Sequence, residues 1–340
     1  MRAALVTLVL SGCMTTLSEP HSAEHVAAMR EATRHHHHGR FEEAAESWEV
    51  AARSADRRVD RDEADNRRAR TNRRRDRDRE ALELLDDIGQ REPLSRRTVR
   101  ARFDAALIRL ELGETSRAHE TLERILRERP GDGPAGRSLR LLLDARSAEE
   151  QLAFVRELYE RVGDTDLGDD LLFTEAELLA GAGDRPGAIR VFERIVVAHP
   201  YPHGQRWDDS LWRLADLAQE SGDHEAAIVY LRRMIEPHTL SVVPGSHTLP
   251  RFPAAGLRIA RIYRDELDDP EHAAESFRAM RDEFGSSALR DDALYELGAM
   301  WLDRGRVGEG CAVLREVVAA YEVGHPRRLA ARRLDSDCAD

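Results

Sequence analysis

The chain has 340 residues, of which 41% are apolar, 34% charged and only 5% aromatic, with a formal net charge of −12. All 52 of its basic residues are arginine, which excludes a Walker-type phosphate loop, a Schiff-base lysine and a lysine general base. The acidic balance argues against nucleic acid as a partner, and so few aromatics suit exposed helix pairs better than one deep core.

The first element is Arg2 followed by the apolar run Ala3 to Leu10 and then Leu10-Ser11-Gly12-Cys13. A basic start, a short apolar stretch and small residues before a cut point predict a signal peptide over residues 1–12, too short to span a bilayer. The last four residues resemble the bacterial lipobox. That resemblance implies cleavage before Cys13, lipidation of its thiol and a tether over 13–22. Met14, standing where an aspartate would retain such proteins at the inner membrane, implies the outer membrane. An ordinary signal peptide with an accidental cysteine is the alternative.

From residue 23 onward one phrase recurs. Gly113, Ala118, Leu122, Ile125 and Pro130 are echoed by Gly183, Ala188, Phe192, Ile195 and Pro200. Slid along the chain, the phrase starts at Gly39, Asp76, Gly113, Leu143, Gly183, Gly222, Asp268 and Gly305, with spacings of 37, 37, 30, 40, 39, 46 and 37 residues. Glycine or aspartate at the start suits the turn that ends one helix. A small residue five on lets the second helix sit close to the first, and bulky residues nine and twelve on share a face that fills the seam to the next unit. A fixed period of this kind predicts an all-α stack of about eight helix hairpins, each burying its apolar face against its neighbours. The units resemble the tetratricopeptide repeat, which implies a right-handed α-solenoid. They divide into N-terminal units over 23–130, central units over 131–236, a proline-rich loop over 237–253, and C-terminal units with a capping helix over 254–340.

Two segments depart from the phrase. Residues 57–80 carry eleven arginines and seven carboxylates, so the helix expected near Arg61 to Arg75 has almost no apolar stripe. It reads as a solvated mixed-charge helix or a partly disordered stretch, with a basic patch for a polyanion as the alternative. Residues 237–253 hold Pro237, Pro244, Pro250 and Pro253, and read as a long loop that carries either specific contacts or nothing.

Candidates for chemistry are few. His35, His36, His37 and His38 invite a metal, but consecutive side chains on a helix radiate rather than converge, and a solvated helix end explains them. Cys311 and Cys338 are a candidate disulfide in an oxidising compartment: α-helical legs of roughly twelve residues, about 18 Å each, return from a turn near Gly324 to one level. Two free thiols remain the alternative. No nucleophile elbow or phosphate cradle is present, so neither an enzyme nor a cofactor is expected.

Ten residues before each turn lies a position that, by the repeat resemblance, faces a concave groove. It holds Phe103, Phe173, Trp212, Arg258 and Tyr295, with Asp170, Asp209 and Asp292 three residues earlier and Glu177 and Asp216 four later. Such a row suits a peptide with apolar and basic side chains; packing between helices is the alternative. The stretches FERIVVAHP (192–200), DDSLWRL (208–214) and FGSSALRDDALYELG (284–298) resemble tetratricopeptide lipoproteins of the bacterial outer membrane. They are similar both to the lipoprotein of the β-barrel assembly machine and to the Tol-Pal-associated coordinator. That resemblance implies a non-catalytic, lipid-anchored periplasmic scaffold for envelope proteins. Alternatives are a cell-wall or polyanion binder and an accessory subunit of an envelope enzyme.

Overall fold

The computed structural model describes residues 22–91, 94–236, 251–284 and 287–338. Among them are seventeen α-helices and no strand. The expected signal peptide, Cys13 and residues 237–250 of the proline-rich loop lie outside the described residues. The chain divides into two compact units, Met1–Ala145 and Arg146–Asp340.

The first unit contains α1 (Ala23–His37), α2 (Phe41–Arg53), α3 (Arg58–Arg73), α4 (Asp78–Gln90), α5 (Arg96–Glu111), α6 (Thr115–Glu128) and α7 (Gly133–Asp144). Each packs on the next, and α5 also touches α3 and α7. The second unit contains α8 (Ala148–Val162), α9 (Gly168–Gly181), α10 (Arg185–Ala198), α11 (Trp207–Glu220), α12 (His224–Ile235), α13 (Arg251–Asp265), α14 (Pro270–Glu283), α15 (Arg290–Asp303), α16 (Val307–Ala320) and α17 (His325–Asp337). One apolar cluster runs from Leu172 in α9 to Trp301 in α15, and a second joins α15 and α16 to α17.

Sequence dictates the hairpins directly. Gly39, Asp76, Gly113, Gly183, Gly222, Asp268 and Gly305 all sit at positive φ, between 47° and 86°, the left-handed geometry that closes a helix. Asp184, Asp223 and Asp269 then cap α10, α12 and α14 through side-chain bonds to backbone N–H groups. The small residues five on, Ala44, Ala81, Ala118, Ala188, Ala227 and Ala273, are fully buried. In the last hairpin the step is Gly310, where an added Cβ would lie 2.9 Å from the Gly298 carbonyl oxygen; no larger residue fits between α15 and α16. Trp48, Leu85, Leu122, Phe192, Leu231, Phe277 and Leu314 fill the ninth step, all buried.

Three expectations are corrected. Leu143 is not a turn: α7 continues to Asp144, and α8 begins only after Ser147, whose hydroxyl forms a reciprocal cap with Glu150. Pro253 lies in the first turn of α13, where its missing N–H leaves no helical bond unmade. The arginine-rich segment is neither fully solvated nor disordered. It forms α3, whose buried face is polar: Asp60, Asp62, Asp65, Thr71 and Asn72 lie inward beside Ala64 and Ala69. Arginines make this tolerable. Arg57 grips Asp60 at 2.7 and 2.8 Å, and Arg91, just after α4, bonds to Asp62, to Asp87 and to Asp65 at 3.0 Å. Burial holds the Asp65 carboxyl above its ordinary pKa in spite of Arg91. Burial opposes the Arg91 charge too, yet the three carboxylates keep its guanidinium more firmly protonated than usual.

Candidate functional site

Phe173, Trp212, Arg258 and Tyr295 lie on α9, α11, α13 and α15, the first helices of the second unit's hairpins. Phe173 is half-buried and meets Phe192 edge-on at 5.4 Å. Trp212 is half-buried and leans on the core. Tyr295 is half-buried against the cluster of α15 to α17. Phe103 stands apart from these: it lies in α5 of the first unit, is 2% exposed and carries the Arg137 guanidinium 4.4 Å from its ring centre. It packs and cannot reach a partner.

The carboxylates of the row are already engaged. Arg206 bonds to Asp170 at 2.6 Å and to Asp209 at 3.0 Å, and lies 5.1 Å from the Phe173 ring centre. Arg213 bonds to Glu177 at 2.6 Å and Asp216 at 3.2 Å. Arg251 reaches Asp209 and Arg258 reaches Asp216, each at 2.7 Å, while Arg258 stacks 4.7 Å from the Trp212 ring centre. Farther along, Arg261 and Arg264 converge on Glu296, and Arg333 of α17 holds Asp303 at 2.7 Å. Successive hairpins are thus tied by a ladder in which each guanidinium spans two helices or covers a ring, a task its planar fork performs and an ammonium cannot. The bonds from Glu177 and Asp216 hold Arg213 above its ordinary pKa.

The site expected for a basic peptide therefore offers less free negative charge than the sequence suggested, because Asp209 and Asp216 already answer arginines of the chain. Asp292 differs. No ion pair involves it among the described residues, and burial, with Asp291 and Glu296 nearby, raises its pKa. Beside it a cavity of about 590 Å³ opens between α13 and α15, lined by Arg261, Arg264, Tyr295, Glu296, Asp303 and Arg304.

Sequence reasoning missed Arg206, Arg213 and Arg251 and named Arg258 without its pairing, although a carboxylate followed 36 to 42 residues later by an arginine was a readable signal (Asp170 and Arg206, Glu177 and Arg213, Asp216 and Arg258). It also missed Asp169, which is buried and accepts the N–H groups of Gln205 and Arg206 at 2.6 and 3.2 Å, fixing the start of α11.

The remaining candidates fall outside this face. Cys311 and Cys338 are joined by a disulfide, with Cα atoms 5.9 Å apart. His35 lies 3.5 Å from Glu31, His36 turns to Thr71, and His37 and His38 are exposed. Among the described residues no three metal-ligating side chains converge, and no helix is long and apolar enough to cross a membrane.

Fold and face together define a class: an all-α chain of stacked helix hairpins that displays rings and internally paired charges on its first helices. Residues 209–236, which are nearly the whole of the α11–α12 hairpin, match the tetratricopeptide repeat family. The chain is similar to a tetratricopeptide repeat protein from Parabacteroides merdae ATCC 43184, with 13% identity over 93% of this chain and 99% of that one and a TM-score of 0.29. It is similar also to the TPR domain of P58(IPK), with 14% identity over 88% of this chain and 84% of that one and the same TM-score of 0.29. At that TM-score neither likeness adds to the account of the fold, which rests on the helices themselves. No curated protein matches the chain.

Proposed function

We propose that the chain is a non-catalytic scaffold that holds a protein segment along α9, α11, α13 and α15, and that a lipid on Cys13 anchors it in the bacterial cell envelope, at the outer membrane facing the periplasm. The observation that carries the reading is the row of Phe173, Trp212 and Tyr295 on helices whose carboxylates are largely neutralised by the chain's own arginines. Such a face gives a partner half-buried rings to pack on without requiring it to strip water from unpaired charges. The partner is an envelope protein segment with apolar side chains and a basic group placed for Asp292. Leu10-Ser11-Gly12-Cys13 supports the anchor, and fixing one end at a membrane raises the local concentration of whatever the face holds.

Trp212→Ala and Tyr295→Ala test the face. Each is expected to weaken capture of envelope proteins by about tenfold or more, the effect of losing a buried aromatic anchor, with the helical circular dichroism signal intact. Loss of fold in both variants would assign the rings to packing. Cys13→Ala tests the anchor: the variant should leave the membrane fraction, and one that still floats with membranes refutes the lipid.

A further inference from the structure

The arginine-rich helix and the histidine run meet in the first unit. Between α1, α2 and α3 lies a cavity of about 210 Å³ whose walls include His36, His37, Trp48, Glu63, Arg67 and Arg70. Its floor is the Thr71 hydroxyl, which donates to the Arg67 carbonyl at 2.9 Å and accepts the Trp48 indole N–H at 3.1 Å. The His36 Nδ1 lies 3.2 Å away from the same oxygen. With the Thr71 proton directed to the Arg67 carbonyl, the Nδ1–H tautomer of His36 completes the set by donating to the hydroxyl oxygen.

We propose that this cavity binds a single carboxylate group, held by Arg67, Arg70 and His36 against the Trp48 ring. Arg67 lies 5.3 Å from the Trp48 ring centre and directs Nε to Glu63 at 2.7 Å, which leaves its terminal N–H groups for a ligand. Arg70 is 60% exposed, and its one ion-pair partner among the described residues, Asp104, is 3.9 Å away, too far for a hydrogen bond. A planar anion with one charge matches a guanidinium fork and a flat ring wall. Glu63, itself negative, disfavours the double charge of a phosphate. The charged and titratable groups around His36 are His37 on its own helix and Glu63, Arg67, Arg70 and Arg74 on or just beyond α3; α2 lines the cavity with Trp48 alone. Burial lowers the His36 pKa, and repulsion from His37, Arg74 and Arg67 lowers it further. A bound carboxylate offsets that repulsion and raises it, so binding takes up a proton and strengthens as pH falls from neutral.

The test follows the His36 ring resonances of the full chain by NMR while acetate is added, from about pH 5.5 to 7.5 where histidine titrates, with sodium chloride matched for ionic strength. Acetate should raise the His36 pKa, and Arg70→Gln should weaken acetate binding by about fivefold, the loss of one charge-assisted contact at a partly exposed site. Arg70→Lys, which keeps the charge but loses the fork, should fall between. A short oligoglutamate peptide run alongside identifies the source: tighter binding than acetate points to acidic side chains of a protein, and equal binding to a free small carboxylate. A chloride control that reproduces the shift, a shift unchanged in Arg70→Gln, or stronger binding of inorganic phosphate than of acetate would overturn the proposal.

Discussion

Arg91 has three carboxylates around it, and two of them, Asp62 and Asp65, are buried in the face that α3 turns inward. A buried pair gains little over apolar residues of the same shape, but a buried charge deprived of its partner is costly. Arg91→Ala should therefore destabilise the first unit by about 3–5 kcal/mol, read by urea denaturation at neutral pH. Arg91→Lys should recover only part of that, since one ammonium cannot fork among three acceptors. The pH dependence has a definite sign. Burial already lifts the folded pKa of Asp65 above its unfolded value, so its ionised form weighs against folding above that pKa, and the penalty vanishes below the unfolded pKa. Removing Arg91 enlarges the penalty, so the deficit of Arg91→Ala should shrink as pH falls through the carboxylate range. A loss under about 1 kcal/mol at neutral pH, or a deficit that grows in acid, would show that the polar face of α3 is solvated after all.

At the scale of the helix, what could be read in advance was whatever depends on backbone geometry and on size. Seven of the eight turn positions were identified from glycine, aspartate and the spacing that follows, because a left-handed residue, a close helix crossing and an apolar seam each permit only a few residue types. Leu143 misled because Ala148, Leu152 and Val155 fit the phrase by chance; the cap at Ser147 and Glu150 was the truer signal and sets the start of α8. The helix α3 could not be recognised as buried from its hydropathy, because its inward residues are polar and the arginines that neutralise them come partly from outside the helix: Arg57 just before it and Arg91 beyond α4. The carboxylates beside the rings of α9 and α11 were read without their partners for a related reason. Carboxylates at fixed steps on one helix announce themselves, whereas their partners Arg206, Arg213, Arg251 and Arg258 stand one hairpin later and are matched to them only by applying the repeat period across hairpins.

At the scale of the whole molecule each hairpin buries its apolar face against its neighbours, so a helix at the end of a series is held from one side only. In the second unit α17 closes the series against α15 and α16. Its own adhesive surface is small: Pro326 and Ala330 are its buried residues, with Leu334 partly covered. Cys311 and Cys338 stand 27 positions apart in sequence, and for a loop of that size the entropy removed from the unfolded chain amounts to about 3–4 kcal/mol. That exceeds what two small buried side chains supply, so the disulfide, more than packing, keeps α17 in place over Leu294 and Leu314. Reduction should therefore raise hydrogen exchange in α17 by about a hundredfold or more. The rise should fall off through α16 and leave the amides of α11 and α12 as they were, since their seams are filled by residues of the central cluster, to which α17 contributes none of the described residues. Exchange by mass spectrometry with and without a thiol reductant measures both. Unchanged α17 protection would mean that packing alone holds the end, and simultaneous loss of protection from α9 to α17 would mean that the unit opens as one body rather than hairpin by hairpin.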